Sequence, residues 1–204
     1  YGHGMGSLVT RLCCLHESHW DGVILSGTSS RQKYCRRAIL FTAVMRRFKG
    51  LNHRSRFVEN MIYRRLNRKY HGERDYLSWF SADEDVRERY GADKRSQFQF
   101  TLSAYENIFK MLELVSTKKW YHSIDRELPI LLVSGKDDPI GNFGKGIEEI
   151  YGRLSGEGCC IEMKLYDGIR HELQGDPDRE VIFNDMLNWM KNYAEEPVSM
   201  NGIY

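Results

Sequence analysis

The chain has 204 residues, 41% of them hydrophobic and 28% charged, which fits one domain, or one domain with an insertion, built around a real core. It contains no run of about 18 apolar residues, so a membrane-spanning helix is not expected. The net charge of +2 conceals a basic block: residues 31–74 carry fourteen lysines and arginines against Glu59 and Glu73, a local excess of +12 that leaves −10 on the rest.

The five cysteines, Cys13, Cys14, Cys35, Cys159 and Cys160, are odd in number and include no C-x-x-C spacing. Reduced thiols in a cytoplasmic protein are the expectation. No secretory leader is read at the start. The first residue, Tyr1, already lies inside a motif, so a preceding portion is expected.

In chain order, "YGHGMGS" opens with a glycine turn at Gly2, Gly4 and Gly6. A phosphate cradle is the weaker reading of it. The dinucleotide pattern needs G-x-G-x-x-G and an acid at the end of the next strand, whereas Asp21 stands at its start. Leu8, Val9, Leu12 and Leu15 then fall at helical spacing, and Val23–Leu25 reads as a short buried parallel strand. Residues 31–50 and 55–70 predict two helices, each with an apolar stripe and a basic face. Their aromatics, Tyr34, Phe41, Phe48, Phe57, Tyr63 and Tyr70, are read as core. Ser81 followed by Glu84 is a capping-box pattern, and residues 101–117 predict another helix. No strand signal is strong between Arg31 and Thr117, which makes this segment a helical insertion.

The strand pattern returns at Ile130–Val133 and breaks at Gly135, Asp137, Asp138 and Pro139. "GKGIEEIYGRLSGEG" predicts a helix, "CCIEMKLYDGIRHEL" a strand running into a loop, and "DREVIFNDMLNWMKNYAEE" a last helix. That helix carries Val181, Ile182, Met186, Trp189 and Met190 on its apolar side. Strands alternating with helices of this length imply an α/β fold with a mostly parallel sheet.

Three chemical elements follow one another along the chain: the glycine turn, the acidic pair Asp137 and Asp138, and His171. Nucleophile, acid, histidine is the chain order of the α/β-hydrolase triad. Each stands at the carboxyl end of a strand, where open parallel sheets place their active sites. Asp-Pro is also an ordinary turn signal, and Asp137 rivals Asp138 for the acid role. His3, His16, His19, His53, His71 and His122 show no ligand spacing and are expected to be structural or solvent-facing; no metal site is expected.

"GHGMGS" resembles the "GHSMGG" or "GHSMGS" elbow of monoacylglycerol lipases and bacterial lysophospholipases, which are serine α/β-hydrolases. "DGVILSGT" resembles the strand after their elbow helix, "LLVSGKDDPIGNFGKG" their acid loop and "YDGIRHEL" their histidine loop. Residues 75–109 resemble a cap-to-core segment of the bacterial branch. The resemblance implies an α/β-hydrolase core at 1–30 and 118–204, a helical cap at 31–117, and hydrolysis of single-chain lipid esters without a cofactor. It assigns Asp138, at the D-P position, as the acid and His171 as the base. Gly4 falls at the nucleophile position, and Met5 would lend its backbone N–H to the oxyanion hole. The loop that supplies the family's other oxyanion N–H is not in the chain. Nor are the early strands, including the one entering the elbow, so the sequence resembles the C-terminal two-thirds of such an enzyme.

Glycine meets no steric cost in the strained elbow conformation but carries no hydroxyl. Ser7 lies about one helical turn, roughly 5 Å, from the elbow tip and is not expected to replace it. Two readings follow: a lipid esterase whose nucleophile position holds glycine, or a catalytically inactive hydrolase-fold protein that binds lipids or a partner. The basic block is either a solvated helical face or a surface for anionic membranes, which would make the protein peripheral to a membrane. Nucleic acid is not expected, because the aromatics of the block read as core rather than as a stacking platform.

Overall fold

The computed structural model describes residues 1–15, 20–30 and 32–193. A four-stranded sheet runs β1 (Gly2–His3), β2 (Val23–Ser26), β3 (Ile130–Gly135) and β4 (Ile161–Tyr166), in that spatial order and parallel throughout. Helix α1 (Met5–Cys13) connects β1 to β2, and α7 (Lys145–Gly156) connects β3 to β4. Between β2 and β3 lie α2 (Cys35–Lys49), α3 (Arg56–Leu66), α4 (Glu84–Ala92), α5 (Leu102–Leu114) and α6 (Lys118–His122); α8 (Arg179–Tyr193) follows β4.

Every residue of β2 and β3 is buried, as a strand covered on both faces must be. The period of two divides β3 between two cores. Ile130 and Leu132 join Leu8, Trp120, Ile147, Ile150 and Leu154 on one side, and Leu131 and Val133 join Ile169, Leu173, Ile182 and Trp189 on the other. Each such side chain contributes about 1.5–3 kcal/mol relative to exposure.

Local chemistry sets the helix starts. Ser55, Thr101 and Thr117 accept the N–H of Val58, Ala104 and Trp120, so α3, α5 and α6 each begin on a side-chain cap. Arg11 of α1 is wholly buried; its guanidinium donates to Ser29 O at 2.8 Å and Val115 O at 2.7 Å and lies 4.5 Å over the Trp120 ring. One core side chain thus ties the loop after β2 to the end of α5.

The structure corrects several expectations. Asp83, not Ser81, caps α4: its carboxylate accepts from Val86 N at 2.9 Å, and the Ser81 hydroxyl only steadies Asp83 N. The strand entering the glycine turn is represented by Gly2 and His3, paired with Leu25 and Ser26. Val181 and Met190 of α8 are exposed, because Ile182, Met186 and Trp189 are the residues that the helix buries against the sheet. Phe41, Phe48 and Phe57, read as core, are exposed, since α2 and α3 bury only Cys35, Thr42 and Val58. Helix α6, five residues long, is too short to leave a periodic signal. Among the described residues no helix is long and apolar enough to cross a membrane.

Candidate active site

The turn between β1 and α1 places Gly4 at φ 54° and ψ −119°, a region that costs a side-chain-bearing residue about 1–3 kcal/mol. Its N–H donates to Ser26 O at 3.0 Å, and its carbonyl accepts from Ser7 N at 3.1 Å and Ser7 Oγ at 2.5 Å. Ser7 is therefore buried and engaged with backbone, unable to offer its hydroxyl to the site. Gly4 starts α1 without a capping side chain, and the first turn holds no acidic residue. The positive end of the helix, with Met5 at its first position, is left open beside Gly4.

At the end of β3, Gly135 permits a close crossing: a Cβ there would stand 1.9 Å from Ile169 O. That contact brings the loop after β4 across the loop after β3. Asp138, fully buried, accepts from Ile140 N at 2.8 Å through Oδ1 and bonds His171 Nδ1 at 2.9 Å through Oδ2. Asp137 faces outward in an ion pair with Lys69 at 2.8 Å. The acid beside the histidine is thus Asp138.

The His171 side chain is 9% exposed. Burial opposes its charge, but the Asp138 carboxylate outweighs burial and raises its pKa above the ordinary value. Its free nitrogen, Nε2, points at Gly4: a Cβ built on Gly4 would lie 3.1 Å from Nε2 and 3.5 Å from Cε1 of the His171 ring. Asp138, His171 and Gly4 are brought together as their order in the chain suggests, with Met5 adjoining.

His3, expected to be structural or solvent-facing, belongs to this cluster. Its ring centroid is 4.7 Å from that of His171, and its Nδ1 is 3.1 Å from Ser26 Oγ. Burial first, and His171 second, push its pKa down to about 3, so it remains neutral while His171 takes the proton. Its place in the glycine turn, one residue before Gly4, was the available signal. His53, His71 and His122 lie away from the site; His122, for instance, pairs with Glu157 at the surface. His16 and His19 lie outside the described residues.

The sequence also gave no sign of Trp79, whose ring lies 5.2 Å from that of His171. It belongs to a segment, residues 69–81, that grips the loops carrying Asp138 and His171. Lys69 and the Tyr70 hydroxyl hold Asp137, Glu73 and the carbonyls of Ser78 and Ser81 accept from Arg170, and Phe80 O accepts from Glu172 N at 2.8 Å. The fork between Arg170 and Glu73 holds the Glu73 carboxyl below the usual carboxylate range.

The family model Hydrolase_4, described as serine aminopeptidase, S33, matches residues 1–178. The chain belongs to this family. Hydrolase_4 membership agrees with the fold, which is that of α/β-hydrolases. A thermostable carboxyl esterase from Bacillus coagulans in complex with glycerol superposes with a TM-score of 0.86 at 23% identity, over 94% of this chain and 63% of that one. A lipase in its open form gives 0.86 at 20% identity, over 96% and 64%. A soluble variant of monoglyceride lipase from Saccharomyces cerevisiae, in complex with a substrate analogue, gives 0.67 at 18% identity, over 95% and 64%. The chain thus spans 63–64% of the length of these neighbours. No curated protein matches the chain.

Proposed function

We propose that the site is that of an esterase for single-chain lipid esters, monoacylglycerols or lysophospholipids, with Gly4 standing at the nucleophile position. The observation that carries this reading is the 3.1 Å approach of His171 Nε2 to the place of a Cβ on Gly4, in a backbone conformation suited to an exposed nucleophile. Given a hydroxyl at position 4, Oγ attacks the ester carbonyl and its proton passes to His171 Nε2. Asp138 fixes the Nδ1–H tautomer and stabilises the imidazolium, and the Met5 N–H faces the developing oxyanion. The leaving alcohol takes the proton back from Nε2, and a water activated by the same nitrogen releases the acid. As written, the chain lacks the first step.

The cap is residues 31–117 in this reading, and its outer face suits an anionic lipid surface. Leu40 (67% exposed), Val44 and Phe48 (82%) form an i, i+4, i+8 stripe on α2, joined by Phe57 (65%) and Met61 on α3. Arg37, Arg47, Lys49, Arg56 and Arg64 are exposed on the same two helices, and make no ion pair among the described residues. Apolar residues flanked by cations match the interior and headgroups of an anionic bilayer.

The test is hydrolysis of short p-nitrophenyl esters and of monoacylglycerols. The chain as written is expected to be inert and Gly4→Ser active. Gly4→Ser with His171→Ala should return to background, a loss on the order of 10⁴-fold or more. An inert Gly4→Ser variant that is folded would instead favour the inactive, ligand-binding reading.

A further inference from the structure

The chain as written leaves His171 with a base's position and no hydroxyl to deprotonate. Its Nδ1 is committed to Asp138, and its Nε2 makes no hydrogen bond among the described residues. Nε2 instead faces the space over Gly4, beside the uncapped N-terminus of the nine-residue helix α1. The neutral imidazole, with its proton on Nδ1, presents only a lone pair there. An ester, which has acceptors and no proton to give, cannot satisfy that lone pair. The imidazolium presents a donor, and so do the helix N–H groups next to it.

We propose that this site in the chain as written holds a carboxylate rather than an ester, with one oxygen accepting from His171 Nε2–H and the charge lying against the N-terminus of α1. The ligand class is the monocarboxylic acid that corresponds to the acyl half of the family's esters. The inference rests on the reading of Gly4 as the nucleophile position. Glycine makes room for the anion: a serine side chain there would occupy the space between Nε2 and the helix and would itself bond Nε2.

The groups around the ring are consistent with a proton-coupled site. Asp138 favours the imidazolium from one side, and Glu172 does so more weakly. His3 stays neutral at 4.7 Å and adds no competing charge. Trp79 closes one face at 5.2 Å. The first turn of α1 has no acid to repel the ligand. Binding at a pH where the free imidazole is neutral therefore takes up one proton from solvent onto Nε2, and the bound pair is imidazolium and carboxylate. Above the pKa of His171 the affinity should fall about tenfold per pH unit, because each bound carboxylate then needs a proton that the free site lacks.

The test uses butyrate, which forms no micelles, and methyl butyrate, read by NMR through the His171 ring resonances of the chain as written and assigned with His171→Gln. Butyrate is expected to shift those resonances, to bind progressively more weakly as pH rises, and to raise the apparent pKa of His171 at saturation. Methyl butyrate is expected to leave them in place, and Gly4→Ser to weaken butyrate binding about tenfold. His171→Gln, checked for folding by circular dichroism, should bind no butyrate by calorimetry. An unshifted His171, an equal response to the ester, or pH-independent binding would overturn the proposal. Failure here alongside active Gly4→Ser sinks the carboxylate site alone. Success here with an inert Gly4→Ser sinks the esterase reading instead.

Discussion

Strands β2 and β3 and helices α2 and α3 are all rich in apolar residues, yet they dispose of them in opposite ways. The strands bury every residue between two layers. The helices bury Cys35, Thr42 and Val58 and turn Leu40, Val44, Phe48 and Phe57 outward. Apolar side chains in the first region hold the fold. In the second they are left exposed beside Arg37, Arg47, Lys49, Arg56 and Arg64, which make no ion pair among the described residues. The loops that carry Asp138 and His171 spring from the first region and are clasped by residues 69–81 from the insert. The site thus stands on the first region and is held by the stretch of chain that follows α3, not by the exposed faces of α2 and α3.

The contrast is broken most severely at Gly135. A Cβ at 1.9 Å from Ile169 O cannot be accommodated without moving the histidine loop, so Gly135→Ala should cost about 3 kcal/mol or more. Urea unfolding measures this, and the loss of the His171–Asp138 bond should accompany it. Leu131→Ala, in a fully buried strand position, should cost about 2–5 kcal/mol by the same assay. On the other side of the comparison, Phe48→Ser should change stability by no more than about 0.5 kcal/mol. It should nonetheless weaken binding to phosphatidylglycerol vesicles several-fold, as should raising the salt. Equal binding of the unaltered chain to phosphatidylcholine and phosphatidylglycerol vesicles at low salt would return α2 and α3 to a merely solvated face.

The smallest effects are those of pH. The pKa of His171 is raised, so its pairing with Asp138 stabilises the fold fully below the unfolded value of about 6.5 and loses that contribution as pH rises through the folded value. His3 has the opposite sign. Its lowered pKa makes the unfolded chain bind the extra proton, so stability falls as pH drops from about 6.5 toward about 3, and His3→Gln should remove that part of the acid sensitivity. In Gly4→Ser, His171 serves as base only when neutral. The rising limb of the pH–rate profile should therefore lie above the ordinary histidine value.

The core was readable because its signals are local. The run Ile130–Val133 and the helix stripes stand in short stretches of chain, and the glycine turn, the acid and the histidine each sit in a short motif of their own. The choice of Asp138 over Asp137 needed the resemblance, and the geometry of the loop explains it: Asp137 turns out to Lys69 while Asp138 turns in to His171. Trp79 and the Arg170–Glu73 fork were not readable, because their meaning lies in contacts across 92 and 97 positions of sequence. The exposed phenylalanines of α2 and α3 were misread for a related reason. An apolar stripe on a helix announces a buried face whether what buries it is the protein's own core or something outside it.

The central claim, that Gly4 stands where the family's nucleophile stands, is tested most directly with a fluorophosphonate probe, which reacts only with an activated hydroxyl. The account predicts that Gly4→Ser is labelled at position 4, that adding His171→Gln abolishes the labelling, and that the chain as written is spared. Labelling of the unaltered chain at Ser7, or no labelling of a folded Gly4→Ser variant, would contradict it.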